Sequence, residues 1–309
     1  HTAKLEFFGQ LAARQAKVPI VLYTNHGFIF RSDMGLLKKK LIMGLARYSG
    51  KISDRVLSQA MEDVKVGVEM GVYKEGKIQY LGNGIDLTPF DIKNYSQKDI
   101  DSIKQKTGVP ADKKIVGMVG RFVWEKGFRE LFEAAEIILK SEPNAHFVLI
   151  GNKLASERDP VDFELLEKMG IAGSFTILTG RSDMPDMYAM MDVVVLPSYR
   201  EGFPRTMMEG AAMSKPLVAS DISGCREAVE NDYNGYLVPV KSVEPLASAI
   251  KKLLEDESLR TDLGKKGRLK AEEQFDKNRV VERLLDTYDE LCTARFGKPF
   301  RISANKNVS

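Results

Sequence analysis

The chain has 309 residues, 43% hydrophobic and 29% charged, which is material for two packed domains and too apolar for a disordered composition. A net charge of +3 is too small to point to nucleic acid, and none is expected as a partner. Two distant cysteines, Cys225 and Cys292, and three scattered histidines give neither a disulfide framework nor a zinc cluster, and they suit a reducing cytoplasm. No apolar run nears the roughly 18 residues of a membrane span, and no signal peptide heads the chain.

The first stretch, HTAKLEFFGQLAARQ, lacks methionine and runs straight into an amphipathic helical pattern. That start is unusual for a compact α/β domain, so further N-terminal chain is expected. PIVLYTN (19–25) reads as a buried strand that ends at His26-Gly27. A helix is expected over 36–49, a strand over 55–59, a glycine-closed helix over 61–71 and a strand over 77–84. Residues 86–113 are polar and read as a linker with one short helix near 98–107.

A cleaner alternation follows, with apolar strands at 114–120, 146–151, 174–180, 192–198, 216–220 and 235–240. Helical patterns stand between most of them, and long ones close the chain. Runs this apolar belong to parallel strands covered on both faces. The fold class is therefore α/β, with two Rossmann-like doubly wound sheets facing a cleft. The expected division is 1–95, a linker at 96–112, a second domain at 113–275, and a C-terminal helix and tail at 276–309 that could pack back on the first domain.

Ligands of such sheets sit at the carboxyl ends of the strands. After 114–120 the chain reads RFVWEKGF, which sets Arg121 and Lys126 before a helix start. Two cations there oppose the helix dipole, and a phosphate between them would remove the conflict; a solvated basic turn is the plainer alternative. No GxxxxGK[ST] loop is present, which disfavours a nucleotide hydrolase of that type. After 192–198 comes YREGFPRTMMEG, with Pro204 suited to the first helical position. Glu201 then lies before the helix and Glu209 between one and two turns inside it. The amides of Arg205 and Thr206 favour an anion, while the two acids accept from hydroxyls. A ligand both phosphorylated and rich in hydroxyls fits, such as a nucleotide diphosphate sugar, with Glu209 on the ribose and Glu201 on the sugar. Taken alone, the stretch is an ordinary acidic turn.

Together these motifs resemble the retaining glycosyltransferases of family 4, of the two-Rossmann B-type fold. The Arg…Lys-Gly element falls at Arg121 and Lys126, and the E-x7-E element at Glu201 and Glu209. SDISGCREAVENDYNGYLVP (220–239) follows them, and TNHGF and NGID (83–86) agree in the first half. The resemblance implies transfer of a hexose-like sugar from a nucleotide diphosphate sugar to a hydroxyl, with retained configuration, no metal and no cofactor. It implies a donor set of Arg121, Lys126, Arg181, Glu201, Gly202, Phe203, Arg205, Thr206 and Glu209, and a catalytic set of His26, Glu201, Arg121 and Lys126. Arg121 and Lys126 would neutralise the leaving diphosphate. His26 would stand beside the reacting sugar, and Arg181 would read the base through its backbone. Without the resemblance, His26 reads as a structural histidine and Arg181 as a surface arginine. Cys225, with no histidine near it in sequence, is not expected to be a nucleophile.

Roughly the first third of the family's N-terminal domain has no counterpart here. Polysaccharide or glycolipid assembly is the implied process. Two alternatives stay open: a nucleotide-sugar epimerase of the same fold, or a non-catalytic nucleotide-sugar-binding module. The helix carrying Lys38, Lys39, Lys40, Arg47 and Lys51 also carries Leu36, Leu37, Leu41, Ile42 and Leu45. Such a helix could lie on an anionic membrane and suit a lipid-linked acceptor at the inner face, or hold a solvated basic face over a buried apolar stripe.

Overall fold

The computed structural model describes residues 3–27, 35–152, 157 and 159–301. The chain divides into two compact units, one of His1–Gly84 with Lys277–Ser309 and the other of Ile85–Asp276.

The first unit holds α1 (Ala3–Gln15), β1 (Leu22–Asn25), α2 (Leu36–Ile52), β2 (Arg55–Ser58), α3 (Met61–Glu69) and β3 (Ile78–Tyr80). Its three strands pair in parallel in chain order, with Leu22 opposite Arg55 and Val56 opposite Ile78. A small core of Val56, Val72, Tyr73 and Ile78 lies beneath, and Ile42, Met43 and Ala46 of α2 pack on it. The other apolar side chains of α2 do not: Leu36, Leu37, Leu41, Leu45 and Tyr48 are exposed.

The second unit opens with α4 (Gln97–Thr107), whose first turn is closed by a reciprocal Ser96–Asp99 capping box. There follow β4 (Lys114–Val119), α5 (Phe128–Leu139), β5 (Ala145–Ile150), α6 (Glu164–Lys168), β6 (Phe175–Leu178), α7 (Met184–Ala189) and β7 (Val193–Leu196). Next come α8 (Arg205–Ala212), β8 (Leu217–Ser220), α9 (Ser223–Ala228), β9 (Gly235–Val238), α10 (Val243–Glu255) and α11 (Glu257–Lys270), which runs into a π-helical turn at Ala271–Phe275. The six strands are parallel in the order β6-β5-β4-β7-β8-β9. Every residue of β5, β7 and β8 is buried, as a parallel sheet covered on both faces requires. Successive crossovers leave β4 toward β5 and β7 toward β8. Their loops therefore diverge at the β4/β7 boundary and leave a crevice at the carboxyl ends.

The segment expected as a linker is built into this unit instead. Ile103 and Val109 join its core, and the Tyr95 hydroxyl donates to Asp186 of α7 at 2.7 Å. The final helix, α12 (Lys277–Phe296), belongs to the first unit. There Glu290 pairs with Arg55 of β2, and the Arg283 guanidinium lies 5.2 Å over the Tyr80 ring.

Candidate active site

The site forms where the β4–α5 and β7–α8 loops meet. A 3-10 turn at Trp124–Lys126 ends at Gly127, whose φ of 84° lies in the left-handed region. Gly127 is needed twice over, because an added Cβ would also stand 2.1 Å from the carbonyl oxygen of Pro197. That contact brings the two loops together backbone to backbone. The Tyr199 amide donates to the Glu125 carbonyl at 2.9 Å, and the Lys126 ammonium meets Glu201 Oε1 at 2.6 Å. These two side chains are only 17% and 12% exposed.

Arg121, directly after β4, donates to Glu157 Oε1 at 2.7 Å and is half exposed. The two cations expected to lie against a helix dipole until an anion arrived are thus each held by a carboxylate. Glu157 was not singled out in sequence, although it follows β5 closely. Arg121 and Arg181 line one cavity of about 250 Å³ with Ile150, Gly151 and Asn152, at the ends of β4 and β5 and beyond β6. Arg181 itself pairs with Asp183, and the Gly180 amide donates to Asn152 at 2.9 Å.

α8 starts one residue later than its composition suggests. Pro204 is the N-cap, with ψ of 111°, and Arg205 is the first helical residue. This leaves the Arg205 and Thr206 amides in the first turn, facing the helix mouth. Arg205 Nε donates to Glu209 Oε1 at 2.7 Å, over a carboxylate side chain only 7% exposed. The buried Tyr188 ring of α7 stands beside this acid. Burial and the Glu209 charge push the Tyr188 hydroxyl well above the ordinary tyrosine range, so it stays protonated.

Phe203 belongs to the expected donor set. Its side chain is buried edge-on against Phe275, with ring centroids 5.7 Å apart, so it anchors the loop in the core and offers a ligand only its backbone. Gly202 is a second place of close approach, since an added Cβ on Gly224 would lie 2.3 Å from its carbonyl oxygen. α9, a helix unforeseen from the sequence, therefore packs directly on the loop that carries Glu201. Its Cys225 is buried, and desolvation aided by the Glu201 charge raises the thiol far above its usual pKa, which removes it as a nucleophile.

In the first unit, His26 directly follows β1 and is exposed. The Asn25 amide behind it is buried and donates to Asp63 at 3.5 Å. Phe28 of the TNHGF motif lies outside the described residues. Among the described residues no group of three or more His, Cys, Asp or Glu could hold a metal ion.

A doubly wound parallel sheet with paired cations and carboxylates at its switch point is an arrangement for gripping an anionic, hydroxyl-bearing ligand. The family model "Glycosyl transferases group 1" matches residues 99–270, and the chain belongs to that family. It is 32% identical over 295 residues to the N,N'-diacetylbacillosaminyl-diphospho-undecaprenol alpha-1,3-N-acetylgalactosaminyltransferase of Campylobacter jejuni, covering 93% of this chain and 75% of that one. It is 27% identical to the UDP-Gal:alpha-D-GlcNAc-diphosphoundecaprenol alpha-1,3-galactosyltransferase of Escherichia coli, covering 94% of this chain and 74% of the relative. HepE of Anabaena, solved with UDP, shares the fold with a TM-score of 0.81 at 24% identity, over 93% of this chain and 76% of its own.

Proposed function

We propose that this glycosyltransferase moves a sugar from a nucleotide diphosphate sugar to a hydroxyl of a lipid-linked saccharide, retaining the anomeric configuration and needing no metal. The Lys126–Glu201 pair at the sheet's switch point carries this reading. A diphosphate would take over Lys126 and Arg121, whose present partners are carboxylates. Glu201, released, would then accept from hydroxyls of the sugar, and Glu209 from those of the ribose. As the bond from C1 of the sugar to the diphosphate oxygen breaks, charge grows on the diphosphate and the two cations stabilise it. The acceptor oxygen forms the new bond to C1, and its proton leaves to the released diphosphate. A role for His26 at the reacting sugar rests on the family resemblance.

Two relatives act, by their names, on acceptors linked through diphosphate to undecaprenol. Exposed leucines beside Lys38, Lys40 and Arg47 on α2 suit work at an anionic membrane surface. Among the described residues no helix is long and apolar enough to cross a membrane. The test is nucleoside diphosphate release from candidate donors, with and without a polyprenyl-diphosphate-linked saccharide, in the presence of a chelator. Release that depends on the acceptor, undiminished by chelator and giving product of the donor's anomeric configuration, is expected. An isomerised donor would instead indicate an epimerase, and binding without release a non-catalytic module.

A further inference from the structure

Tyr199 begins the loop that carries Glu201, two residues before that acid. Its hydroxyl donates at 2.7 Å to Oε1 of Glu130, a residue of the first turn of α5 that is only 6% exposed. The other carboxylate oxygen, Oε2, is buried without a hydrogen-bond partner among the described residues. A buried acid so sparsely bonded is costly, and losing the one side-chain bond it accepts would raise that cost further. Lys241 adds a second hold. It follows β9, adopts a φ of 59°, and sets its ammonium 4.8 Å from the centroid of the Tyr199 ring. On its main-chain side Tyr199 donates to Glu125, and the next residue, Arg200, lies 3.2 Å from the Glu125 carboxylate. Three separate elements therefore converge on the residue two places before Glu201. Burial and the Glu130 carboxylate both keep the Tyr199 hydroxyl protonated, so it remains a donor across the working range.

We infer that Tyr199, latched by Glu130 and Lys241, is a positioning residue that holds the 199–204 loop closed so that Glu201 stays aligned with Lys126. The assignment of Glu201 and Lys126 to the transfer reaction rests on the function proposed above; the latch itself does not. The latch can be read independently of activity through Cys225, which is fully buried on α9 beneath this loop. Opening of the loop uncovers the thiol.

The experiment is thiol labelling of the full chain in a Cys292→Ser background, at low denaturant. It is run alongside steady-state transfer with whichever donor the wild type uses. Tyr199→Phe keeps the ring over which Lys241 sits and removes only the hydroxyl. A hydrogen bond to a charged group is lost, so Cys225 labelling should accelerate roughly tenfold or more. That faster rate should be insensitive to low denaturant, because local opening exposes little surface whereas global unfolding exposes much. In transfer, kcat should fall about tenfold while inhibition by the free nucleoside diphosphate changes little. Glu130→Gln keeps an acceptor for the hydroxyl and should retain most of the activity, whereas Glu130→Ala should reproduce Tyr199→Phe. The double variant Tyr199→Phe/Glu130→Met removes the stranded carboxylate and recovers thermal stability. Labelling should nonetheless stay fast and kcat low. Wild-type labelling and kcat in Tyr199→Phe, or recovery of both in the double variant, would overturn the inference. If the wild type transfers no sugar, the proposed function fails and labelling alone still decides the latch.

Discussion

Lys126 and Glu201 are each more than four-fifths buried and face one another at 2.6 Å, so removing either leaves the other exposed to a desolvation cost. Lys126→Ala strands a carboxylate and should destabilise the free protein by about 1–2 kcal/mol while weakening donor binding. Glu201→Ala strands an ammonium that a bound diphosphate can still satisfy, so it should bind donor yet abolish transfer. Calorimetry and turnover on the two variants check this, and wild-type turnover by either one contradicts the site. That Arg121, Lys126, Glu201 and Glu209 follow the ends of β4 and β7 was legible because apolar strands precede them; their roles rest on the resemblance. Their partners were not legible. Glu157, Tyr188 and Glu130 reach the site only through tertiary contact, and nothing in the spacing of RFVWEKGF or YREGFPRTMMEG points to them. That the Phe203 side chain is plugged into the core against Phe275 could not be read either, because a loop aromatic looks the same in sequence whether it faces a ligand or the core.

Helices with a long apolar period were readable almost to the residue, as α5 and α10 show. The stretch KIQYLGNG pairs only over Ile78–Tyr80, because its last three residues form the glycine-rich turn that ends it. α9 escaped notice, since six residues, SGCREA, are too few to display a helical period. The joint between the two site loops turns on one backbone position. Gly127→Ala would add a Cβ both at a φ of 84° and 2.1 Å from the Pro197 carbonyl oxygen. The variant should lose about 2–4 kcal/mol of stability by denaturant unfolding and lose donor affinity with it. Two readings of α2 were open in the sequence: Ile42, Met43 and Ala46 pack on the small core, while Leu37, Leu41 and Leu45 are exposed beside the lysines. Charge reversal of Lys38, Lys39 and Lys40 should abolish sedimentation with anionic liposomes; unchanged sedimentation would remove the membrane from the account.

At the scale of the whole molecule, two parallel sheets could be foreseen from the alternation of apolar runs and helical patterns. The division between units could not. Residues 86–113 are polar by composition, but a few apolar positions, Phe90, Ile103 and Val109 among them, tie that stretch to the second core. Global stability carries a signature of Lys215, which lies half-buried between α8 and β8 and donates to the Ala189 carbonyl at 3.0 Å. Desolvation lowers its pKa to about 8, from an ordinary lysine value of 10.5. Between those values the unfolded chain binds the proton that the native state has released, so stability rises with pH. Relative to Lys215→Met, the wild type should gain about 3 kcal/mol from pH 8 to pH 10.5, measured by urea unfolding. A flat difference would show that the ammonium is solvated. The central claim, that the β4–α5 and β7–α8 loops grip a nucleotide diphosphate sugar, is tested most directly by thermal melting against uridine, guanosine and adenosine diphosphate sugars. A ligand that binds only the native state raises its stability by about 2.7 kcal/mol at a hundred times Kd. One base should raise the Tm of the wild type and raise that of Lys126→Ala much less, each judged against its own ligand-free melt. No rise with any of the sugars, or an equal rise in Lys126→Ala, would contradict the account.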